Sequence, residues 1–212
     1  MIFLLNESSY FISIANFKSM EYLILTALWF IYFTLHSILA STKVKSFFEK
    51  LLSSGFRFYR MGYTIISTVG LIALLLFNES LPLKLIFESV GLMRYLSLVM
   101  ATFGVIVISR AFREYRFSSF VGLKKETSEF SQSGELKYVR HPIYSGTILI
   151  VIGFFLFNPS MANLISVSCI LFYLPVGIFL EEKKLIEQFG DRYISYRKEV
   201  PSIFPKINRR SL

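Results

Sequence analysis

The side chains best suited to chemistry in this sequence begin with Arg140 and His141, which directly precede Pro142. Proline suits the first position of a helix because it has no N–H group to leave unpaired there. The free N–H groups and positive dipole at such a helix start, together with Arg140 and His141, could bind a carboxylate or a phosphate. Tyr144 adds a flat ring that can cover an adenine. An interfacial anchor, in which Arg140 snorkels and Tyr144 joins the aromatic belt, is an alternative of equal weight.

Two adjacent carboxylates, Glu181 and Glu182, end a long apolar run. Acidic side chains are poorly placed at a helix C-terminus, and ionisable groups at membrane depth tend to mark sites. We therefore interpret the pair as functional, with simple charge balance by the lysines that follow as the alternative. The turn sequence Asn158-Pro159-Ser160 predicts that the chain folds back, which returns Glu181 to the membrane face of His141.

Two weaker candidates accompany these clusters. Tyr193, Tyr196 and Val200 form the apolar stripe of a short amphipathic helix after Gly190. We expect this helix mainly to close the mouth of the site, with a direct ligand role less favoured. His36 could transfer a proton, but a hydrogen bond at the interface or between helices is the favoured interpretation.

The composition indicates a membrane protein. Of 212 residues, 54% are hydrophobic and only 17% are charged, whereas a soluble domain carries about 25% charged residues. Apolar runs predict five spans, and a soluble helical bundle is disfavoured because these runs leave little polar surface. The predicted spans are Tyr22–Leu39, Gly62–Phe77, Leu92–Ile108, Ile143–Phe157 and Leu164–Leu180.

The basic residues are distributed unevenly between the segments that flank these spans. Twenty of the 23 lysines and arginines fall on one side, and only Lys18, Lys84 and Arg94 fall on the other. The positive-inside rule then places the N-terminus outside and the C-terminus in the cytoplasm, in what we expect to be a bacterial inner membrane. We predict an all-α integral membrane protein with five transmembrane helices, a C-terminal helical hairpin and a cytoplasmic cofactor pocket.

Several classes of site are disfavoured by what the sequence lacks. One cysteine, two histidines and a single aspartate provide little material for a disulfide framework, a metal centre or a Ser/His/Asp relay. We find no glycine-rich nucleotide motif and no HExxH or CxxC motif, and we predict no metal site. Nothing in the sequence indicates a soluble domain with a basic surface that binds nucleic acid. The expected partner is the lipid bilayer.

The three C-terminal clusters together resemble the integral-membrane methyltransferases, a group that includes isoprenylcysteine carboxyl methyltransferase and the phospholipid N-methyltransferases. The resemblance covers roughly residues 133–205, in matching order and spacing. Near the N-terminus, Leu35-His36-Ser37 and Arg57-Phe58-Tyr59-Arg60 are more weakly similar to bacterial members of the methanethiol S-methyltransferase type. The matching C-terminal residues are Gly134, Tyr138-Val139-Arg140-His141-Pro142, Tyr144, Gly146, Glu181-Glu182, Phe189-Gly190, Tyr193, Tyr196 and Val200-Pro201.

The resemblance implies an enzyme that transfers a methyl group from S-adenosylmethionine to a small or lipophilic acceptor (a thiol, carboxylate or amine) reached from the bilayer. It divides the chain into a three-span membrane region, 1–110, and a catalytic region, 111–212. Part of the loop Thr127–Ser131 is expected to close over the cofactor. The implied cofactor-binding residues are Leu136, His141, Pro142, Ile143, Tyr144 and Glu181, and the predicted catalytic residues are Glu182, Arg140 and Tyr193.

The sequence leaves the proton acceptor, the substrate-binding residues and the alternative functions undecided. If the acceptor is a thiol, its proton could go to Glu182, His141 or Tyr193. Gly177 stands where the carboxyl methyltransferases carry a substrate-binding arginine, and Leu136 stands where the family has an aromatic residue. The alternative functions are a non-catalytic membrane protein that retains the pocket for sensing, assembly or transport and, less favoured, an NADPH-dependent enzyme similar to sterol reductases.

Overall fold

The computed structural model describes residues 2–114 and 134–206, and every regular element within these ranges is helical. The α-helices are α1 (Ile2–Ala40), α2 (Thr42–Leu52), α3 (Phe56–Ser80), α4 (Gly91–Glu114), α5 (Pro142–Phe157), α6 (Met161–Phe189) and α7 (Asp191–Glu199). Two short 3₁₀ turns, Ser53–Gly55 and Gly134–Lys137, precede α3 and α5. The predicted loop segment Thr127–Ser131 lies outside the described residues.

Four of the described helices are long and apolar enough to cross a membrane: Met20–Ala40, Phe58–Ser80, Gly91–Arg113 and Met161–Phe189. Large apolar side chains on them face outward, such as Phe30 at 67% exposed and Phe172 at 81% exposed. Water would disfavour that much exposed apolar surface, whereas lipid accommodates it. The chain is therefore an integral membrane protein. The fourth predicted span, Ile143–Phe157, corresponds to α5, which has 16 residues and a length of about 24 Å.

Helices α4 and α5 pack with their backbones in close contact because glycines line the interface. A Cβ atom on Gly146 would lie 2.7 Å from the carbonyl oxygen of Gly104, and one on Gly153 would lie 2.7 Å from that of Ser97. Small residues allow this close approach in membrane helices. Since Gly146 faces Gly104 and Gly153 faces Ser97, the helices run antiparallel. The predicted division between 1–110 and 111–212 stays a prediction, and α4 and α5 pack across it.

A buried polar network joins α1, α3 and α6 at the other side of the bundle. The indole of Trp29 donates to Ser166 Oγ at 2.8 Å, and Ser166 donates to Asn78 Oδ1 at 2.7 Å. Asn78 Nδ2 donates in turn to Asn163 Oδ1 at 2.6 Å. Because no water competes inside a bundle, such bonds fix the rotation of each helix relative to the others.

The ends of the helices are joined by short stretches of paired backbone. At one end, the N–H groups of Arg140 and His141 donate to the carbonyl oxygens of Pro201 and Ser202 at 2.9 and 3.0 Å. At the other end, Ile86 N–H donates to Pro159 O at 2.8 Å, beside the turn between α5 and α6. The segment after α7 is thus anchored to the start of α5, where the sequence analysis placed the site.

The local signals at the helix ends are confirmed. Pro142 is the first residue of α5, and Gly190 ends α6 with a φ of +55°. That left-handed conformation is accessible to glycine without strain, so the chain can turn directly into α7. Tyr193 and Tyr196 face inward on α7, at 1% and 4% exposed.

We predict that Gly153→Val lowers the melting temperature of the detergent-purified protein, because a valine Cβ would collide with the backbone of α4. Overpacking of this kind costs about 1–3 kcal/mol. Gly62→Val is the matched control, since a Cβ at Gly62 meets nothing within 4 Å. Equal thermal stability of the two variants, measured by near-ultraviolet circular dichroism, would contradict the packing described.

Candidate active site

A cavity of about 560 Å³ opens between α1, α3, α6 and the start of α5. Its volume is within the range of small-molecule sites. One part of its wall carries His141, Tyr144 and Glu181, and another carries aromatic and hydroxyl side chains of α1 and α3. The lining residues that bear polar groups are Tyr32, His36, Ser37, Lys45, Tyr59, Arg60, Tyr63, Thr64, Ser67, Thr68, His141, Tyr144, Tyr173, Glu181 and Lys184.

His141 is 2% exposed and contacts both carboxylates of the glutamate pair. Its Nε2 lies 3.1 Å from Glu182 Oε1, and its Nδ1 lies 3.6 Å from Glu181 Oε2. We assign Nε2 as the donor to Glu182, because that carboxylate also accepts from Arg140. The buried Nδ1 has no hydrogen-bond partner among the described residues. A buried polar atom without a partner is unfavourable, and a bound ligand would relieve that cost.

Glu182 is the centre of a buried ion network behind the cavity wall. Its Oε1 accepts from Arg140 Nε at 3.0 Å and Nη2 at 2.7 Å, while its Oε2 lies 3.2 Å from Arg197 Nε. Arg140 also donates through Nη1 to the carbonyl oxygens of Arg197 and Val200. The network therefore links the start of α5, the end of α6 and the residues that follow α7.

Tyr193 and Tyr196 lie beneath this network on α7. Burial and the neighbouring Glu182 carboxylate raise the pKa of the Tyr193 phenol far above its ordinary value. Burial raises the pKa of Tyr196 to about 12, and its hydroxyl donates to Leu136 O at 2.7 Å. Both side chains thus remain neutral phenols at physiological pH. A phenol that keeps its proton at neutral pH has no phenolate available to take another proton, which weighs against Tyr193 as the proton acceptor.

The part of the chain that carries this site is similar to a known protein family. Residues 92–192 match the phospholipid methyltransferase family. The matched range contains α4, α5, α6 and the start of α7, together with His141, Glu181 and Glu182.

Several curated proteins are similar to the chain over a longer range. Methanethiol S-methyltransferase of Crocosphaera subtropica is 28% identical over 83% of this chain and 71% of its own length. Methanethiol S-methyltransferase 1 of Bradyrhizobium diazoefficiens is 30% identical over 80% of this chain and 62% of its own length. Protein-S-isoprenylcysteine O-methyltransferase of Schizosaccharomyces pombe is 33% identical over 43% of this chain and 39% of its own length. The family and these homologues support a membrane methyltransferase.

The predicted site residues occupy two layers. His141, Ile143, Tyr144 and Glu181 line the cavity, whereas Leu136 and Pro142 are buried and lie outside its described lining. The three predicted catalytic residues, Glu182, Arg140 and Tyr193, lie in the layer behind and are outside the described cavity lining. Their catalytic roles stay predictions, and their contacts with one another and with backbone carbonyls are those of positioning residues.

The contact between Tyr144 and Gly177 explains how one departure from the family pattern is accommodated. A Cβ atom on Gly177 would lie 3.0 Å from the Tyr144 hydroxyl oxygen and 3.2 Å from its Cε1. The tyrosine ring therefore occupies the space that a larger side chain at 177 would need. It also meets the His141 ring edge to face, with centroids 5.5 Å apart. Gly177 thus allows the Tyr144 ring to lie against α6.

The sequence analysis missed most of the cavity wall contributed by α1 and α3. Tyr32 and His36 on α1 are four residues apart, as are Tyr63 and Ser67 on α3. Four-residue spacing places each pair on one helix face. Polar residues at this spacing within apolar spans could have indicated a polar cavity wall, but the sequence analysis gave a possible chemical role only to His36.

We expect Glu182→Ala to destabilise the protein by about 3–5 kcal/mol, because Arg140 and Arg197 would lose the carboxylate between them. Arg140 and Glu182 side chains are each 9% exposed, so water cannot readily replace the pair. Thermal unfolding in detergent would measure the loss. Arg110→Ala removes an ion pair with Glu135 whose arginine is 64% exposed, and it should cost less than about 1 kcal/mol. Similar losses in both variants would show that the Glu182 network does not anchor the helix ends.

Proposed function

We propose that this protein is an S-adenosylmethionine-dependent integral-membrane methyltransferase whose acceptor is a small or lipophilic molecule that reaches the cavity from the bilayer. The observation that carries the proposal is the composition of one cavity wall. There, the Glu181 carboxylate and the buried Nδ1 of His141, 3.6 Å apart, lie beside the Tyr144 ring, all within the residues that match the phospholipid methyltransferase family.

These residues fit the polar groups of the proposed cofactor. Glu181 would accept from its ammonium or ribose hydroxyl groups, His141 Nδ1 would accept a hydrogen bond, and the Tyr144 ring would cover the adenine. The cationic lining residues Lys45, Arg60 and Lys184 would bind the carboxylate. When bound, the cofactor supplies an electrophilic methyl group on a sulfonium.

The contribution of the protein to methyl transfer is mainly positioning. Displacement at a sulfonium methyl group needs no metal, and its rate depends on alignment and on a dry electrostatic environment. The ion network around Glu182 holds His141 and the start of α5 in place, and the apolar helices around the cavity limit access of water. In this proposal the residues of the cavity wall bind the cofactor, and the ion network behind the wall keeps them in place.

A thiol is the acceptor class that we propose. Three homologues aligned over most of the chain are named for methanethiol, whereas the isoprenylcysteine enzyme is similar over 43% of the chain. Gly177 and the Tyr144 ring against it leave α6 without the arginine that the carboxyl methyltransferases carry at this position. The comparisons favour neither the sensing nor the NADPH-dependent alternative.

We also propose that α5 crosses the bilayer as a fifth span, with the cavity open to the cytoplasm. Gly146 and Gly153 of α5 contact α4 at Gly104 and Ser97, and Arg94 lies 4.6 Å from the centroid of the Phe157 ring. The short helix therefore runs beside most of the apolar part of α4, which is itself a candidate span. Its turn into α6 completes the hairpin, and the charge distribution then orients the C-terminus toward the cytoplasm.

Calorimetry with S-adenosylhomocysteine tests the cofactor proposal. We expect the wild-type protein in detergent to bind it in the micromolar range and Glu181→Gln to bind about tenfold or more weakly, because a charge-assisted hydrogen bond is lost. Glu187→Gln is the matched control on the exposed face of the same helix and should bind as wild type. Binding of NADPH alone, or of neither ligand, would overturn the proposal.

Cysteine labelling in spheroplasts tests the orientation. In a Cys169→Ser background, a membrane-impermeant maleimide should label Leu83→Cys on intact spheroplasts and Lys50→Cys only after permeabilisation. Both positions are exposed, and they lie at opposite ends of α3 and its flanking segments. The reverse pattern would place the C-terminus outside.

A further inference from the structure

The part of the cavity wall formed by α1 and α3 contains a histidine among hydroxyl groups, which we name the His36 cluster: Tyr32, His36, Tyr63 and Ser67. We propose that this cluster is the acceptor subsite for a small alkyl thiol and that His36 receives the thiol proton. The inference rests on the proposed methyltransferase function and adds an acceptor site and a base to it.

The His36 ring is held by contacts from two helices. Its Nδ1 lies 3.3 Å from Ser67 Oγ, and the Tyr63 hydroxyl lies 3.3 Å from both ring nitrogens. Tyr32 stacks on the imidazole with centroids 5.9 Å apart and donates through its hydroxyl to Ser67 O at 3.2 Å. The ring is only half-buried and lines the cavity, so it is positioned but accessible.

The cluster and the proposed cofactor wall belong to one cavity. His36, Tyr63 and Ser67 share it with His141, Tyr144 and Glu181. Between them, Ser37 Oγ and the Tyr173 hydroxyl are 2.7 Å apart and join α1 to α6. An acceptor at the His36 cluster therefore faces the methyl donor without crossing a helix, as an in-line displacement requires.

The surrounding groups favour a thiolate once it forms. The thiolate is the nucleophilic form, and nearby cations stabilise it. Three lysine or arginine side chains line the cavity, against a single carboxylate from Glu181. The titratable groups that line the cavity around His36 are Tyr32, Lys45, Tyr59, Arg60, Tyr63, His141, Tyr173, Glu181 and Lys184.

The proton transfer is balanced as follows. We assign the Nδ1–H tautomer to His36, so that Ser67 Oγ accepts from Nδ1–H. The Tyr63 hydroxyl, 3.3 Å from Nε2, would turn away from it when the Nε2 lone pair takes the proton of the thiol. The S–H bond of the acceptor breaks and its proton moves to Nε2. The sulfur electron pair forms the new S–CH₃ bond, while the methyl–sulfonium bond breaks and its pair stays on the donor sulfur. The imidazolium then releases its proton to water.

The other candidate bases are less suited to this step. The Glu182 carboxylate accepts from Arg140 and contacts Arg197, and it lies behind the cavity wall. Tyr193 is a phenol of raised pKa at the same depth. His141 lines the cavity, but its side chain is only 1% exposed, its Nε2 is engaged with Glu182, and its Nδ1 belongs to the proposed cofactor wall. His36 is the histidine that lies among the α1 and α3 hydroxyl groups.

The experiment compares two acceptors in His36→Gln. Ethanethiol is mostly protonated at neutral pH and needs a base, whereas ethaneselenol is mostly ionised and does not. We expect His36→Gln to lower kcat/KM for ethanethiol about 100-fold and to leave kcat/KM for ethaneselenol close to wild type. Thr26→Val, on α1 but outside the cavity lining, is the matched control and should keep both rates. Equal losses with both acceptors, or no loss with either, would overturn the role of His36.

A binding measurement on the wild-type protein makes the test independent of whether the variant folds. The chain has two histidines, so ¹⁵N-histidine labelling gives two imidazole signal sets, which His141→Gln assigns. With S-adenosylhomocysteine bound, added ethanethiol should shift the His36 signals, and unchanged His36 signals would overturn the subsite. If S-adenosylhomocysteine itself does not bind wild type, the proposed function fails instead.

Discussion

The ion network centred on Glu182 is the interaction on which the arrangement of the site depends. One carboxylate accepts from Arg140, contacts Arg197 and receives a hydrogen bond from His141. These groups belong to three parts of the fold: Glu182 to α6, Arg140 and His141 to the residues before α5, and Arg197 to α7. Buried ion pairs add little net stability compared with apolar packing, but they are costly to break because each partner is left as an uncompensated charge. The network therefore specifies one arrangement of three chain segments rather than strengthening any one helix.

In the apolar part of the bundle, other interactions determine which faces of the helices contact one another. Lipid tails are as apolar as leucine, so hydrophobic burial does not choose which helix faces bind. Close backbone packing selects the contacting faces of α4 and α5, through Gly104, Gly146 and Gly153. Hydrogen bonds select those of α1, α3 and α6, through Trp29, Asn78 and Ser166. The cavity is lined by α1, α3 and α6, which the hydrogen bonds join, and by the start of α5, which the glycine contacts hold against α4.

The sequence predicted those features that depend on local signals. Pro142 at the start of α5 and Gly190 at the end of α6 follow from backbone restrictions that act at single residues. Four of the five predicted spans follow from apolar length. The separate roles of Glu181 and Glu182 could not be predicted, because adjacent residues on a helix point about 100° apart and only the neighbouring helices decide which one faces the cavity. The cavity wall formed by α1 and α3 was not predicted for a related reason. Tyr63 and Ser67 form part of a polar cluster only because the packing of the helices brings them to His36.

The two walls of the cavity come from parts of the chain with different relationships to known proteins. His141, Tyr144 and Glu181 lie within residues 92–192, which match the phospholipid methyltransferase family, whereas His36, Tyr63 and Ser67 lie before them. A cofactor common to a family requires a constant wall, and an acceptor that differs between members requires a variable one. On the proposed function, α1 and α3 can therefore change to accept a different substrate while the Glu182 network holds the cofactor wall unchanged. The similarity to the methanethiol enzymes, over 83% and 80% of this chain, is long enough to include α3. On the proposed function, this similarity supports a small thiol over a bulky lipid as the acceptor, because Tyr63 and Ser67 of the proposed acceptor wall lie on α3.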